Sequence, residues 1–244
     1  MIYTSGTTGR PKGALRTSTD RNLVFALLAE LNLLHENATH LTTGPLYHSG
    51  PLAFASLAHT LGTPIVVAAQ VRSRAVARAG EEHRVTNTFS APTQLKRIVS
   101  LPPEELATAD MSSMVCLIAN AAPVPYSLKQ EIVEKLGDGF LYEVYGSTEL
   151  GVDTVLKPED QLRKPGSCGK PYGGIEIRIV KEDGTMRGRN EPASCSCGRR
   201  SRWTATTAPR SSSRSSTTAS GSRSATSRTW TTRATSTSAT GRRT

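Results

Sequence analysis

The chain has 244 residues, with 30 Lys and Arg against 20 Asp and Glu, and a formal net charge of +10. Residues 1–192 hold 20 basic and 20 acidic side chains and sum to zero, so the whole excess lies in residues 193–244, where ten Arg meet no acid. Those 52 residues include 14 Ser, 13 Thr, 10 Arg and 7 Ala but no Leu, Ile, Val, Met, Phe or Tyr, which excludes a packed core there. Residues 1–192 have the composition of one globular domain or part of one. No apolar run approaches the ~20 residues of a membrane helix. The first residues, Met1-Ile2-Tyr3-Thr4-Ser5-Gly6, have neither a basic n-region nor an apolar h-region. Four Cys make no disulfide framework. A cytoplasmic location is the expectation.

In chain order, Met1–Tyr3 reads as the end of a strand entering a Gly/Thr/Ser loop at 4–13. Asp20–Leu34 reads as a helix, with Leu23, Val24, Leu27, Leu28, Leu31 and Leu34 on one stripe and Thr17, Ser18 or Thr19 as N-cap. Pro64–Ala68 and Val85–Phe89 read as buried strands, the second followed by a helix from Thr93 to Leu101. Met114–Ile118 is a further strand, and Ser127–Leu136 a helix stopped by Gly137-Asp138-Gly139. Phe140–Tyr145 is a strand ending at Gly146, and Ile175–Val180 alternates into a turn at Glu182-Asp183-Gly184. Strands separated by helices predict an α/β fold with a largely parallel sheet, whose ligands bind beyond the carboxyl ends of the strands.

Residues 3–13 read Tyr-Thr-Ser-Gly-Thr-Thr-Gly-Arg-Pro-Lys-Gly. Gly6, Gly9 and Gly13 allow close backbone approach, Thr4, Ser5, Thr7 and Thr8 offer hydroxyls, and Lys12 supplies a point charge. That set suits a polyphosphate. It is not the P-loop motif of NTPases, because Pro11 stands where the second Gly should be. The string resembles the signature loop of adenylate-forming enzymes, a family that includes acyl-CoA and aryl-CoA ligases and the adenylation domains of peptide synthetases.

Other motifs follow in that family's order. Tyr145-Gly146-Ser147-Thr148-Glu149 resembles its second signature. Taken alone, such a string is more often a strand-to-helix turn with a capping hydroxyl; its place about 140 residues after the Gly/Thr loop, in that family's order, reverses the balance. The resemblance implies that Tyr145 stacks on adenine, Thr148 contacts phosphate or the substrate carboxylate, and Glu149 binds Mg²⁺, a hard cation that prefers carboxylate oxygen. Asn120-Ala121-Ala122-Pro123 resembles the small-residue segment packed on the other face of the base. Pro45-Leu46-Tyr47-His48-Ser49-Gly50-Pro51 matches the acyl-pocket segment, with His48 near the substrate carboxylate. Tyr47-His48, in place of the Phe-Asp of peptide synthetases, favours a plain acid over an amino acid. His83-Arg84-Val85-Thr86, Ala91-Pro92-Thr93 and Lys164–Pro171 also fit the family, with Cys168 of the last segment read as inert.

The resemblance covers nearly all of 1–192, read as part of the large N-terminal AMP-binding domain of an acyl-CoA ligase. It implies ATP, Mg²⁺ and CoA as cofactor and co-substrates and a carboxylic acid, with fatty acids in view, as the acyl donor. Residues 193–244 are expected to be a disordered basic tail produced by a one-base frameshift near codon 193. With suitable synonymous codons the shifted frame reads Glu-Leu-Leu-Val-Arg from Ala193, where the family carries a Gly-Glu-Leu-x-Val-Arg strand. The Trp203-Thr204 and Trp230-Thr231 junctions each force an Asp in that frame. The family's upstream strands, ribose-binding Asp and C-terminal domain with its catalytic Lys are not represented, so the chain is expected to be an inactive fragment. Two alternatives remain: a non-catalytic nucleotide-binding relic, and nucleic-acid binding through the tail. The absence of an aromatic stacking platform weighs against the latter.

Overall fold

The structure is a computed structural model that describes residues 2–4, 12–14, 20–68, 78–80, 82–107, 109–148, 151–180 and 194–199. Its centre is a seven-stranded sheet. Five strands, β3 (His40–Thr42), β4 (Ile65–Val67), β5 (Asn87–Ser90), β6 (Cys116–Ala119) and β7 (Leu141–Ser147), run parallel in the order β4-β3-β5-β6-β7. Two antiparallel strands, β8 (Gly151–Leu156) and β9 (Lys170–Pro171), extend it beyond β7. The strands expected at 64–68, 85–89, 114–118 and 140–145 are all present, shifted by one or two residues.

Helices cover both faces, as a parallel sheet requires. On one side α1 (Arg21–Glu30) and α2 (Ser49–Thr60) bring Leu27, Leu28, Leu31 and Phe54 onto Phe89, Ile118, Tyr142, Val144 and Val155. On the other, α3 (Pro92–Val99) and α5 (Tyr126–Leu136) bring Leu95, Ile98, Val99, Leu128 and Ile132 onto Leu117, Ala119 and Leu141. The strand alternation is visible in this division: Ile118 and Leu117, or Tyr142 and Leu141, serve opposite cores. A short α4 (Pro103–Leu106) lies between α3 and β6.

Three details depart from the expected pattern. The N-cap of α1 is Asp20, whose side chain accepts from the Asn22 N–H at 2.9 Å, rather than Thr17, Ser18 or Thr19, which lie outside the described residues. The helix also ends at Glu30 and not at Leu34, because Asn32 takes φ 52° and turns the chain. Leu33 is then buried from the loop, while Leu34 faces solvent. Finally, the Glu182-Asp183-Gly184 turn expected after β10 (Ile175–Val180) lies outside the described residues. Strand β10 pairs antiparallel with β11 (Ser194–Arg199), so regular backbone structure reaches into the segment expected to be a tail.

Candidate active site

The loop expected to hold phosphate is closed by a hairpin. Strands β1 (Ile2–Thr4) and β2 (Lys12–Ala14) pair antiparallel, with Thr4 opposite Lys12. Both ends of the Gly/Thr loop are therefore brought together by backbone pairing. Ser5, Gly6, Thr7, Thr8 and Gly9 lie outside the described residues.

The other candidates gather at the carboxyl ends of the parallel strands. The order β4-β3-β5-β6-β7 reverses direction between β3 and β5, which makes this edge a topological switch point. A polar cluster ties the two strand ends there. The Thr43 hydroxyl donates to Phe89 O at 2.8 Å and lies 3.1 Å from the Ser90 hydroxyl. Gln94, in the first turn of α3, donates from Nε2 to Thr43 O at 3.1 Å, and its Oε1 accepts from the Ala91 N–H at 3.0 Å. Ala91 is the N-cap of α3 and has no side-chain oxygen to return the bond, so this is half of a capping box.

His48 is the N-cap of α2 and is exposed; its ring centroid lies 4.6 Å from that of the exposed Tyr47. The next residue makes the long-range connection. Ser49 Oγ lies 3.1 Å from Thr148 Oγ1, joining the start of α2 to the residue that follows β7. Ser49 was not singled out in the sequence; the available signal was its place between His48 and a helix start. Gly50 is required beside it, because a Cβ there would stand 2.5 Å from the Phe89 ring.

Tyr145, Gly146 and Ser147 form the end of β7 and are half-buried, as is Thr148. The β7–β8 register shifts between Tyr145 and Gly146, so a bulge re-aims the chain inside the motif. Glu149, the candidate metal ligand, lies outside the described residues. One carboxylate with phosphate oxygens is the usual way Mg²⁺ is held. Among the described residues, no group of three His, Cys, Asp or Glu is arranged for a metal.

The segment after β6 leans on β7. Asn120 Nδ2 donates to Val144 O, and Asn120 Oδ1 accepts from the Ala121 N–H. Ala121 adopts φ 74°, a left-handed conformation that costs a non-glycine residue about 1–2 kcal/mol. Ala121, Ala122 and Pro123 are exposed, whereas Val124 is buried. Below this edge, Glu143 on β7 forms a buried ion pair with Lys129 on α5. Burial raises the Glu143 carboxyl above its ordinary value, opposed by Lys129 and by the Val124 N–H.

Residues 1–194 match the family model described as AMP-binding enzyme. The chain belongs to this family. It is 35% identical over 186 residues to indoleacetate–CoA ligase of Aromatoleum aromaticum, covering 75% of this chain and 36% of that protein. It is 36% identical over 188 residues to 2-succinylbenzoate–CoA ligase of Bacillus pumilus, covering 76% and 36%. Among solved structures it is similar to O-succinylbenzoate coenzyme A synthetase from Bacillus subtilis in complex with ATP and magnesium ion. That likeness has TM-score 0.67 and 29% identity, with 80% of this chain and 39% of that chain covered. The AMP-binding chain thus spans about a third of the length of the curated relatives it matches. Its α/β architecture, with a mostly parallel sheet, is that of the adenylate-forming enzymes. No helix among the described residues is long and apolar enough to cross a membrane.

Proposed function

We propose that residues 1–192 are the nucleotide-binding portion of a cytoplasmic, ATP-dependent carboxylic acid–CoA ligase. The observation that carries this reading is that the Ser49–Thr148 and Asn120–Val144 contacts tie the motif segments to the carboxyl end of β7, in a chain whose relatives are CoA ligases. In the reaction, the acid's carboxylate attacks the α-phosphate of ATP and expels pyrophosphate; the CoA thiol then takes the acyl group and AMP leaves. Catalysis of that kind is mostly positioning and charge neutralisation. Thr4–Lys12 hold the β- and γ-phosphates, Tyr145 and Ala122 enclose adenine, and His48 with Thr148 addresses the acid. Glu149 is the residue to hold Mg²⁺, which supplies neutralising charge on the phosphates. The acids named for the relatives, indoleacetate and 2-succinylbenzoate, are aromatic, so aryl acids precede fatty acids as candidate substrates. The 244-residue chain is expected to bind ATP with little turnover. Calorimetry with ATP and Mg²⁺ tests the binding. Pyrophosphate release over a panel of aryl and fatty acids tests the turnover, and rates like those of an intact ligase would overturn the expectation of inactivity.

A second proposal concerns residues 193–244: they are translated out of frame from about codon 193. The abrupt change of composition after Pro192 and the recoverable Glu-Leu-Leu-Val-Arg string support it. Sequencing the encoding DNA is the test, and a shifted frame without that string would refute it.

A further inference from the structure

Gln94 stands in the first turn of α3, where its Oε1 accepts from the Ala91 N–H at 3.0 Å. Capping uses only that oxygen. The amide nitrogen reaches the other way, across the switch point between β5 and β3, and donates to Thr43 O at 3.1 Å. The two bonds need opposite ends of one amide, so the side chain has a single satisfied orientation. Thr43 is 1% exposed, and a buried carbonyl needs a partner. The Thr43 hydroxyl donates to Phe89 O at 2.8 Å. Thr43 is thus tied to β5 by its hydroxyl and to α3 by its carbonyl.

Thr43 is also the root of the turn that carries His48. A Cβ at Gly44 would stand 2.6 Å from Pro51 Cγ, so the chain there lies directly against the first turn of α2. Pro45 has its φ fixed by its ring, and its carbonyl accepts from the His48 N–H at 3.0 Å. His48 O accepts from the Leu52 N–H at 3.1 Å. Gly50 then returns to β5 beside the ring of Phe89, the residue whose carbonyl holds Thr43. The backbone between Thr43 and His48 is short and closed by these contacts, so a shift at the root is passed on to His48.

We infer that Gln94 is a positioning residue: its amide, spanning the ends of β3 and β5, sets where the Pro45–His48 turn presents His48 to the acid. This rests on the assignment of His48 to the acid under the proposed function. Gln94 acts through Thr43 and not by contact with the acid.

The test is Gln94→Glu in the 244-residue chain. A carboxylate at this position still accepts from the Ala91 N–H, but well above the ordinary Glu pKa of about 4.3 it cannot donate to Thr43 O. Amide hydrogen exchange at neutral pH is read at His48 and at Leu95, whose N–H donates to Ala91 O within α3. Affinities for ATP and for the two acids named for the relatives, indoleacetate and 2-succinylbenzoate, are measured by calorimetry. The expected result is exchange at least tenfold faster at His48 and within threefold of wild type at Leu95. Affinity for whichever acid binds should fall at least tenfold, with ATP affinity within threefold. Unchanged His48 exchange overturns the inference. So does equal acceleration of both amides, or an equal loss for acid and ATP, each of which marks a merely structural role. Where that variant does not fold, Gln94→Met removes the same donor without adding charge, and His48 exchange is read against Ile132 on α5 with the same expectations. Failure of the underlying reading is distinct: a folded wild-type chain that binds neither acid overturns the assignment of His48, and the inference with it, whatever the amides show.

Discussion

Replacing Gly146 by Ala forces apart the two strands that carry the Tyr145–Thr148 motif. A Cβ at 146 would stand 1.9 Å from the Gly151 carbonyl oxygen and 2.8 Å from both Gly151 C and Val152 Cα. All of these are backbone atoms of β8, so no side chain can rotate aside. A tolerable carbon–oxygen contact is about 3.3 Å, so β7 and β8 must part locally by roughly 1.4 Å. Overpacking of this kind costs about 1–3 kcal/mol. For a chain of this size that lowers the melting temperature by about 2–12 °C. The displacement falls between Tyr145 and Ser147, in the bulge that aims Thr148 at Ser49. Tyr145 is the residue proposed to stack on adenine, and loss of about 1.4 kcal/mol of that contact would lower ATP affinity tenfold. Circular-dichroism melting and calorimetric ATP titration below the melting transition measure the two effects. A Gly146→Ala chain with wild-type melting and wild-type affinity would refute the reasoning.

Other substitutions separate stability from function. Ile132→Ala, at a site with no solvent exposure on α5, should cost about 2–5 kcal/mol in denaturant unfolding while leaving ATP affinity unchanged below the transition; a loss under ~1 kcal/mol contradicts the packing described. Ser49→Ala should cost about 0.5–1.5 kcal/mol of stability, and a double-mutant cycle with Thr148→Val should show coupling, whereas additive losses would mean the hydroxyls do not interact. His40 is buried with Nδ1 2.6 Å from Asn87 Oδ1, and burial holds its pKa below the ordinary 6.5. The unfolded chain therefore takes up that proton more readily, so stability is lost as pH falls from about 6.5 towards the folded-state pKa. His40→Gln should flatten the stability–pH curve in that window, and curves parallel to wild type would contradict the assignment.

Where periodicity and breakers agreed, the fold could be read from the chain. The helix at Tyr126–Leu136 has its apolar spacing and its stop at Gly137, and β6 and β7 are short apolar runs bounded by turn residues. Helix α2 could not be read this way, because Gly50-Pro51 signals a break; in fact Pro51 lies in the first turn, where its missing N–H has no intrahelical partner to lose. Strand β3 is three residues containing a buried His whose Nδ1 partner, Asn87, lies 47 positions away. The site motifs were visible because their spacing along the chain is long and ordered. Ser49, Gln94 and Lys129–Glu143 were not, since each depends on a partner 51–99 or 14 positions away that only the sheet brings near. A Lys on an amphipathic helix reads as solvent-facing until the strand beneath it is known to carry Glu143.

The central claim is that these motifs form a working nucleotide site, and the most direct measurement is calorimetric titration of the chain with ATP and Mg²⁺, alongside Lys12→Ala. Saturable binding at one site per chain is expected, weakened at least tenfold by the substitution. A chain that melts cooperatively yet shows no binding at millimolar ATP, or binding indifferent to Lys12, would contradict it.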